Sequence, residues 1–278
     1  MAVLTLQDDG YLRFDEDECR AAGRARAEAY QNAKPFPHIM IDDLLDKDLL
    51  RQVAANYPPL DNKTFFDRDQ ERLKFQFVAQ EVPYGRTRNL LAELNSQAFL
   101  GFLEEMTGIT GLIADPYFSG GGLHLTKRGG HLSVHADFNI HKKMKLERRL
   151  NLLVYLNDDW QPEYKGELEL WDKQMTHCER SIAPLIGRAV VFSTNADSFH
   201  GHPDPLACPP DRDRRSIATY YYTALEDGIS AVPKRTTVFK ARPNSGDVKD
   251  RRVRVDHFIG DWVPPRLQKF ARKLNRFK

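Results

Sequence analysis

Residues 112–225 constrain the fold most, because they consist of short β-rich runs with no long helix-forming stretch between them. Gly, Pro and Asp, which end strands and form turns, separate the runs. Closely spaced strands of this kind predict an all-β sandwich or barrel. The predicted strands are 116–126, 131–138, 149–156, 166–171, 188–193, 197–202 and 214–223.

The flanking residues have a different character. Residues 1–111 predict a mainly helical N-terminal part packed on the β core. Its helices are expected at 16–31, 47–57 and 89–106, with a short strand at 35–42. Residues 226–278 are predicted to be a C-terminal extension, in which residues 232–240 can add a strand and a terminal helix starts at Pro264. The chain therefore reads as one mainly β domain with flanking helices.

The C-terminal extension is strongly basic. Residues 234–278 contain fourteen Lys and Arg against four Asp, a balance of +10, whereas the whole chain is +2. The commonest arrangement for such a stretch is a solvated amphipathic helix that docks Leu267, Phe270 and Leu274 on the core. The alternatives are contact with an acidic partner, a membrane surface or nucleic acid. The β core shows no basic and aromatic platform for a flipped base, so nucleic acid is not expected as the substrate.

The sequence lacks several patterns, and these absences predict a localisation and argue against several enzyme classes. It has no signal-peptide pattern and no apolar run long enough to span a membrane. Cys19, Cys178 and Cys208 form neither a metal-type pair nor an even disulfide set, which fits a reducing compartment and predicts a cytoplasmic protein. Phosphate-loop, dinucleotide-binding and serine-hydrolase motifs are absent.

His135 and Asp137 are the first candidates for chemistry. Residues two apart in a strand point to the same side of a sheet, so both side chains can bind one ion. Two imidazoles and one carboxylate occupy one face of an octahedral ferrous ion and leave the other positions open. A surface hydrogen-bonded pair is the alternative, because His-x-Asp is a short motif. The third ligand is His200 or His202, and His200 is favoured because Gly201 follows it whereas Pro203 ends the strand after His202.

The strand at 214–223 opens with two arginines. Arg214 shares a face with the small residues Ser216 and Ala218, which leave room for a ligand, so Arg214 is favoured as the inward arginine and Arg215 is the alternative. An arginine inside a β core is costly unless it meets an anion. A dicarboxylate co-substrate that chelates the metal at one end and binds Arg214 at the other satisfies both sites. An internal salt bridge is the competing explanation.

A second inner face comes from the strand at 149–156. Tyr155 is placed to hydrogen-bond the same carboxylate as Arg214, and Leu153 to line the co-substrate's methylene groups. A core tyrosine with a satisfied hydroxyl is an equally good explanation of Tyr155. The other candidates for co-substrate contacts are Asn151, Ser216 and His124.

Five ordered motifs resemble the prolyl-4-hydroxylase-like branch of the iron(II)/2-oxoglutarate-dependent oxygenases. The resemblance implies a double-stranded β-helix, or jelly-roll, core with His135, Asp137 and His200 as metal ligands, and Arg214 and Tyr155 as ligands of 2-oxoglutarate. It also implies Fe(II), 2-oxoglutarate and O2 as cofactors, with ascorbate as a further candidate. The motifs are HADFN at 135–139, RRLNLLVYLNDDW at 148–160, GELELW at 166–171, FHGHP at 199–203 and RRSIATYYY at 214–222.

The resemblance implies a reaction but no substrate. The reaction is hydroxylation of an unactivated C–H bond, coupled to decarboxylation of 2-oxoglutarate to succinate and CO2. Asp137 occupies the position that a halide needs, which argues against a halogenase. The alternatives are a cupin-type iron dioxygenase without 2-oxoglutarate and a non-catalytic jelly-roll binding module. Small molecules and protein side chains are both candidate substrates.

Two departures from the family pattern bear on the substrate. Lys165-Gly166 stands where many members have a Gly pair. The gap between His200 and Arg214 is longer than in the prolyl hydroxylases. The intervening loop at 203–213 is expected to overhang the site, so a prolyl substrate is not carried over.

Overall fold

The computed structural model describes residues 1–60, 64–225 and 235–248. Its helices are α1 (Glu16–Arg24), α2 (Ala27–Gln31), α3 (Lys47–Ala55), α4 (Arg86–Glu93) and α5 (Gln97–Thr107). Its strands are β1 (Leu6–Asp8), β2 (Leu12–Phe14), β3 (His38–Ile41), β4 (Thr64–Arg68), β5 (Glu71–Phe77), β6 (Ile113–Ala114), β7 (Gly122–Ala136), β8 (Glu147–Tyr155), β9 (Leu168–Trp171), β10 (Cys178–Ile182), β11 (Ala189–Ser193), β12 (His200–His202), β13 (Arg214–Thr223) and β14 (Val238–Phe239).

The long strand β7 joins two antiparallel sheets. Its first half pairs with β13, in a sheet that continues through β8 and β11 to β3, and β5 pairs with residues of both halves. Its second half pairs with β12 and β14, and β12 continues to β9 and β10. The two sheets form a jelly roll, which confirms the predicted fold class. The space between the sheets is bounded by the inner faces of both halves of β7.

Gly129 and Gly130 explain why β7 is one strand rather than the two predicted. Gly129 has φ +78, a conformation that glycine adopts without strain, so the strand can bend there and continue. A Cβ on Gly130 would lie 2.7 Å from the carbonyl oxygen of Arg72, so β5 and β7 approach closely at this point. The bend carries one strand from the first sheet into the second.

The helices cover the outer face of the first sheet. Leu150, Leu152 and Val154 of β8 are fully buried in one cluster with side chains of α4 and α5. The alternate residues Asn151, Leu153 and Tyr155 point the other way, into the space between the sheets. One face of β8 therefore packs against the helices, and the other face forms part of a cavity wall.

The N-terminal part departs from the prediction in two respects. The predicted helices at 16–31 and 89–106 are each two helices, and Ser96 caps α5 by accepting a hydrogen bond from Phe99 N at 3.3 Å. The hairpin of β4 and β5 was missed, although two β-rich runs separated by two residues indicate a hairpin. Because β5 pairs with β7, this hairpin is part of the core sheet rather than a helical appendage.

Two further points concern what the structure describes. None of the helices formed by residues 1–60, 64–225 and 235–248 is long and apolar enough to cross a membrane. The predicted terminal helix from Pro264 lies outside the described residues.

Candidate active site

A cavity of about 220 Å³ lies between the two sheets. Its lining includes all three predicted metal ligands, His135, Asp137 and His200, and the inward arginine Arg214. The predicted co-substrate contacts Asn151, Leu153, Ser216 and His124 line it as well. Residues far apart in the sequence thus face one space.

His135, Asp137 and His200 form a compact cluster. Their ligand atoms all lie within 4.8 Å of one another, and all three residues are buried. The Nε2 atoms of His135 and His200 lie 3.6 and 3.5 Å from the carboxylate oxygens of Asp137. Neighbouring donors on an octahedral ion lie about 3 Å apart, so these side chains fit a single metal ion with small adjustments.

Backbone hydrogen bonds fix both imidazoles. His135 Nδ1 donates to Ser133 O at 2.9 Å, and His200 Nδ1 donates to Ser198 O at 3.0 Å. A carbonyl oxygen can only accept, so each ring carries its proton on Nδ1 and offers the Nε2 lone pair to the cavity. This is the arrangement in which imidazoles bind metals. Burial, together with His135, lowers the pKa of His200 to about 4, which keeps its lone pair available at neutral pH.

Arg148 and Asn151 orient the carboxylate of Asp137. Asn151 Nδ2 donates to Asp137 Oδ2 at 2.8 Å, and Arg148 Nη2 lies 3.1 Å from the same oxygen. Asn151 Oδ1 in turn accepts hydrogen bonds from Arg148. Burial opposes ionisation of Asp137, but Arg148 and the two histidines outweigh it and hold the pKa well below its usual value. The carboxylate is therefore charged, and Oδ1 remains directed toward His135.

Arg214 is a buried cation without a described carboxylate partner. It is 5% exposed, and burial lowers its pKa. Its Nε donates to Gly166 O at 2.7 Å, which fixes the guanidinium plane. Among the described residues no Asp or Glu forms an ion pair with it, so the internal salt bridge considered from the sequence is not seen in this part of the chain. An anionic ligand would offset the cost of burying a guanidinium in this state.

Arg215 points out of the cavity. Its guanidinium donates to Ala54 O and lies near Asp213. Arg214 packs closely against Gly166, since a Cβ on Gly166 would lie 3.0 Å from Arg214 Cδ and 2.5 Å from a methyl of Leu206. Lys165 has φ +59, the left-handed backbone that a glycine would adopt freely, at the position where relatives often have the first glycine.

Tyr155 lies beside Arg214. The Cζ of Arg214 is 5.0 Å from the centre of the Tyr155 ring, and the fully buried Tyr155 hydroxyl has no hydrogen-bond partner among the residues that the structure describes. Ser216 is paired in register with both His124 and Tyr155, which places these side chains in one row across the sheet. An unsatisfied buried hydroxyl costs stability, so a ligand oxygen at this position would satisfy both Tyr155 and Arg214.

His202 also faces the cavity but is not part of the metal cluster. Its Nδ1 is buried and has no hydrogen-bond partner in the described part of the chain, and burial lowers the pKa of His202 well below its usual value. The register pairs His200 with His135 and His202 with Leu132. His202 therefore lies further along β7, away from Asp137.

Other cavity residues were not found from the sequence. The missed hairpin contributes Phe66, Arg68, Glu71, Lys74 and Gln76, and β14 contributes Phe239. Arg148 was noted only as part of the motif at 148–160, because the predicted strand at 149–156 begins one residue after it, whereas β8 begins at Glu147. The loop at 203–213 was expected to overhang the site, but none of its residues lines the cavity. It packs behind the cavity instead, where Leu206 pairs with the glycine bend of β7.

Comparisons with known proteins give the family. The model of the 2OG-Fe(II) oxygenase superfamily matches residues 121–222. The match covers under half of the chain and shows what residues 121–222 resemble. The resemblance predicted from the sequence is confirmed, and the superfamily implies Fe(II), 2-oxoglutarate and O2. A search of curated proteins finds no significant match.

Solved structures show the same fold at low sequence identity. A Pseudomonas putida prolyl-4-hydroxylase has a TM-score of 0.54 and 17% identity over 73% of this chain and 99% of its own. A Trichoplax adhaerens prolyl hydroxylase, solved with a hypoxia inducible factor peptide, has a TM-score of 0.51 and 16% identity over 74% and 91%. HygX from Streptomyces hygroscopicus, solved with nickel and 2-oxoglutarate, has a TM-score of 0.50 and 11% identity over 78% of this chain and 96% of its own.

Proposed function

We propose that the chain is an Fe(II)- and 2-oxoglutarate-dependent dioxygenase that hydroxylates an unactivated C–H bond. His135, Asp137 and His200 are the proposed metal ligands and catalytic residues. Arg214 and Tyr155, with Ser216, Leu153, Asn151 and His124 around them, are the proposed co-substrate contacts. Bound Fe(II) would supply the oxidising chemistry, with 2-oxoglutarate and O2 consumed and succinate and CO2 released.

One observation carries the proposal. The cavity has a cluster of two imidazoles and one carboxylate on one side, and a buried arginine without a described carboxylate partner on the other. A dicarboxylate that also chelates through its keto-acid end satisfies both. Neither a metal site alone nor an anion site alone accounts for this pairing.

The residues of the cavity orient the proposed metal ligands and exclude water from them. The hydrogen bonds that the imidazoles donate to Ser133 O and Ser198 O hold the ring planes, and the hydrogen bond from Asn151 holds the carboxylate. Phe192 packs against His200 with ring centres 4.6 Å apart, and Phe239 packs against His135 at 5.4 Å. These rings restrict water beside the ligands, which protects an oxidising centre from side reactions.

The test is succinate formation by the purified protein with Fe(II), 2-oxoglutarate, O2 and a panel of candidate substrates. We expect substrate-stimulated succinate release that needs 2-oxoglutarate and is lost in Asp137→Ala. Asp67→Ala, which removes a partly exposed carboxylate outside the metal cluster, is the matched control and should keep full activity. Full activity of Asp137→Ala would contradict the proposed function.

The same assay separates the rival hypotheses. Oxygen consumption that does not depend on 2-oxoglutarate would favour a cupin-type iron dioxygenase. A protein that binds no Fe(II) would favour a non-catalytic binding module.

A further inference from the structure

Lys74 is a second buried cation of the cavity that the proposed reaction does not use. It lies on β5 with only 8% of its surface exposed. Its Nζ donates to Glu71 Oε1 at 2.8 Å, but Glu71 is shared with Arg68, whose Nη2 lies 2.7 Å from the other carboxylate oxygen. One carboxylate therefore serves two cations. An ammonium has three donors, so Lys74 has capacity for a further acceptor.

The register separates Lys74 from the co-substrate's arginine. Lys74 and Arg214 pair with the same residue, Thr126 of β7, from opposite sides. The backbones of strands two apart lie about 10 Å from each other, so the two cations enter the cavity from separate strands on either side of β7. Gln76 and His124 form the neighbouring row, where their side chains hydrogen-bond to Gly121 O and Gly120 O. Lys74 thus marks a polar subsite of its own on the cavity floor.

The charge of the whole cavity points the same way. Four cationic side chains, Arg68, Lys74, Arg148 and Arg214, and two carboxylates, Glu71 and Asp137, are among the described residues that line it, an excess of two positive charges. Fe(II) and the 2-oxoglutarate dianion carry equal and opposite charges, so loading both leaves the excess unchanged. A cavity with uncompensated positive charge favours an anionic ligand.

We propose that Lys74 binds an oxyanion of the substrate, so that the substrate is a small molecule carrying a carboxylate or phosphate group. This inference rests on the proposed function. Phe66, whose ring centre lies 5.4 Å from Lys74 Nζ, supplies an apolar wall beside the subsite. A small molecule is favoured over a peptide because Lys74 is only 8% exposed on the floor of a cavity that must also hold the co-substrate.

Binding of a probe anion tests the subsite directly. The protein is loaded with Zn(II) and N-oxalylglycine, an analogue of 2-oxoglutarate that is not decarboxylated, and titrated with inorganic phosphate by calorimetry. We expect wild type to bind phosphate, Lys74→Met to bind at least about tenfold more weakly, as the loss of a charge-assisted hydrogen bond implies, and Lys74→Arg to bind as wild type does. Lys127→Met is the matched control, because Lys127 of β7 pairs with Asp213 and does not line the cavity.

Turnover tests the substrate class. Carboxylates and phosphate esters are screened by succinate release, each beside its amide or alcohol counterpart. The oxyanion forms should stimulate succinate release, and Lys74→Met should lower kcat/KM for them at least about tenfold while leaving the KM for 2-oxoglutarate within threefold. A preference for carboxylates or for phosphate esters identifies which oxyanion is used.

The outcomes separate this inference from the function on which it rests. Phosphate binding that persists in Lys74→Met, absence of binding to wild type, or stimulation by uncharged compounds or peptides independent of Lys74 would overturn the subsite. Succinate release that is undetectable under all conditions, with phosphate binding intact and dependent on Lys74, would overturn the proposed reaction and leave the subsite standing.

Discussion

Two arginines lie on the inner wall of the cavity, and their surroundings differ. Arg148 of β8 is 3% exposed and is paired with Asp137 and hydrogen-bonded to Asn151. Arg214 of β13 is 5% exposed and meets the carbonyl oxygen of Gly166 and the ring of Tyr155, but no described carboxylate. Burial costs both cations, and only Arg148 has a counter-ion in the part of the chain that the structure describes.

The contrast agrees with the proposed roles, in which Arg148 positions Asp137 and Arg214 binds the co-substrate. Arg148 offsets the cost of burial within the folded chain and holds a proposed metal ligand in place. Arg214 leaves that cost to be offset by a ligand, which is the trade of stability for function expected at a binding site. The pKa shifts have opposite signs for this reason, since Asp137 raises the pKa of Arg148 against its burial whereas burial lowers that of Arg214.

Stability of the metal-free protein should show the largest difference between the two regions. Arg148→Met leaves Asp137 as a buried carboxylate that has lost its cation, which costs about 3–5 kcal/mol of unfolding free energy. Arg214→Leu removes a buried cation without a carboxylate partner and should be neutral or stabilising. Chemical denaturation of both variants measures the difference, and equal destabilisation would mean that the two arginines have the same role.

The hydrogen bond from Asn151 to Asp137 should set metal affinity. Asn151→Ala removes the donor that orients Asp137 Oδ2, and loss of such an outer hydrogen bond typically lowers metal affinity about 10- to 100-fold. Competition with a chelator measures the change. Asn157→Ala is a suitable comparison, because Asn157 is a buried asparagine that bonds to Pro184 O and Arg215 O outside the metal cluster. Unchanged affinity in Asn151→Ala would remove Asn151 from the metal site.

Tyr155 should show the smallest effect. Tyr155→Phe removes one hydroxyl, and a single hydrogen bond of about 1 kcal/mol corresponds to about a fivefold weaker affinity for 2-oxoglutarate. The hydroxyl has no partner without ligand, so the unfolding free energy should stay the same or rise. A loss of stability with unchanged 2-oxoglutarate affinity would make Tyr155 a core residue, the alternative that the sequence left open.

The sequence predicted those parts of the site that lie in regular strands. The i, i+2 spacing of His135 and Asp137 and the alternation in 214–223 depend only on the pleat, so they specify which side chains share a face. The alternation also favoured Arg214 over Arg215, and the structure places Arg214 inside. Strand alternation does not predict the path of the loop at 203–213, which was expected to overhang the site. Its path depends on packing against Gly129 and Gly166 rather than on the local sequence pattern.

The rest of the cavity wall comes from contacts distant in sequence. Nothing local in Glu71 or Lys74 shows that β5 will pair with β7, so their positions beside the site emerge only from the sheet. Phe239 lies within the strand predicted at 232–240, but only the pairing of β14 with β7 shows that it reaches His135. The chemistry of the metal cluster could thus be predicted from strands, whereas the surfaces that select a substrate required the tertiary structure.

Anaerobic titration of the Fe(II) protein with 2-oxoglutarate tests the central claim most directly. Arg214→Leu and Arg215→Leu remove adjacent arginines of one strand, the first inside the cavity and the second outside it. We expect Arg215→Leu to bind 2-oxoglutarate as wild type does, and Arg214→Leu to bind it roughly 100-fold more weakly, as the loss of a buried bidentate charge pair implies. Equal affinity of wild type and Arg214→Leu would contradict the account.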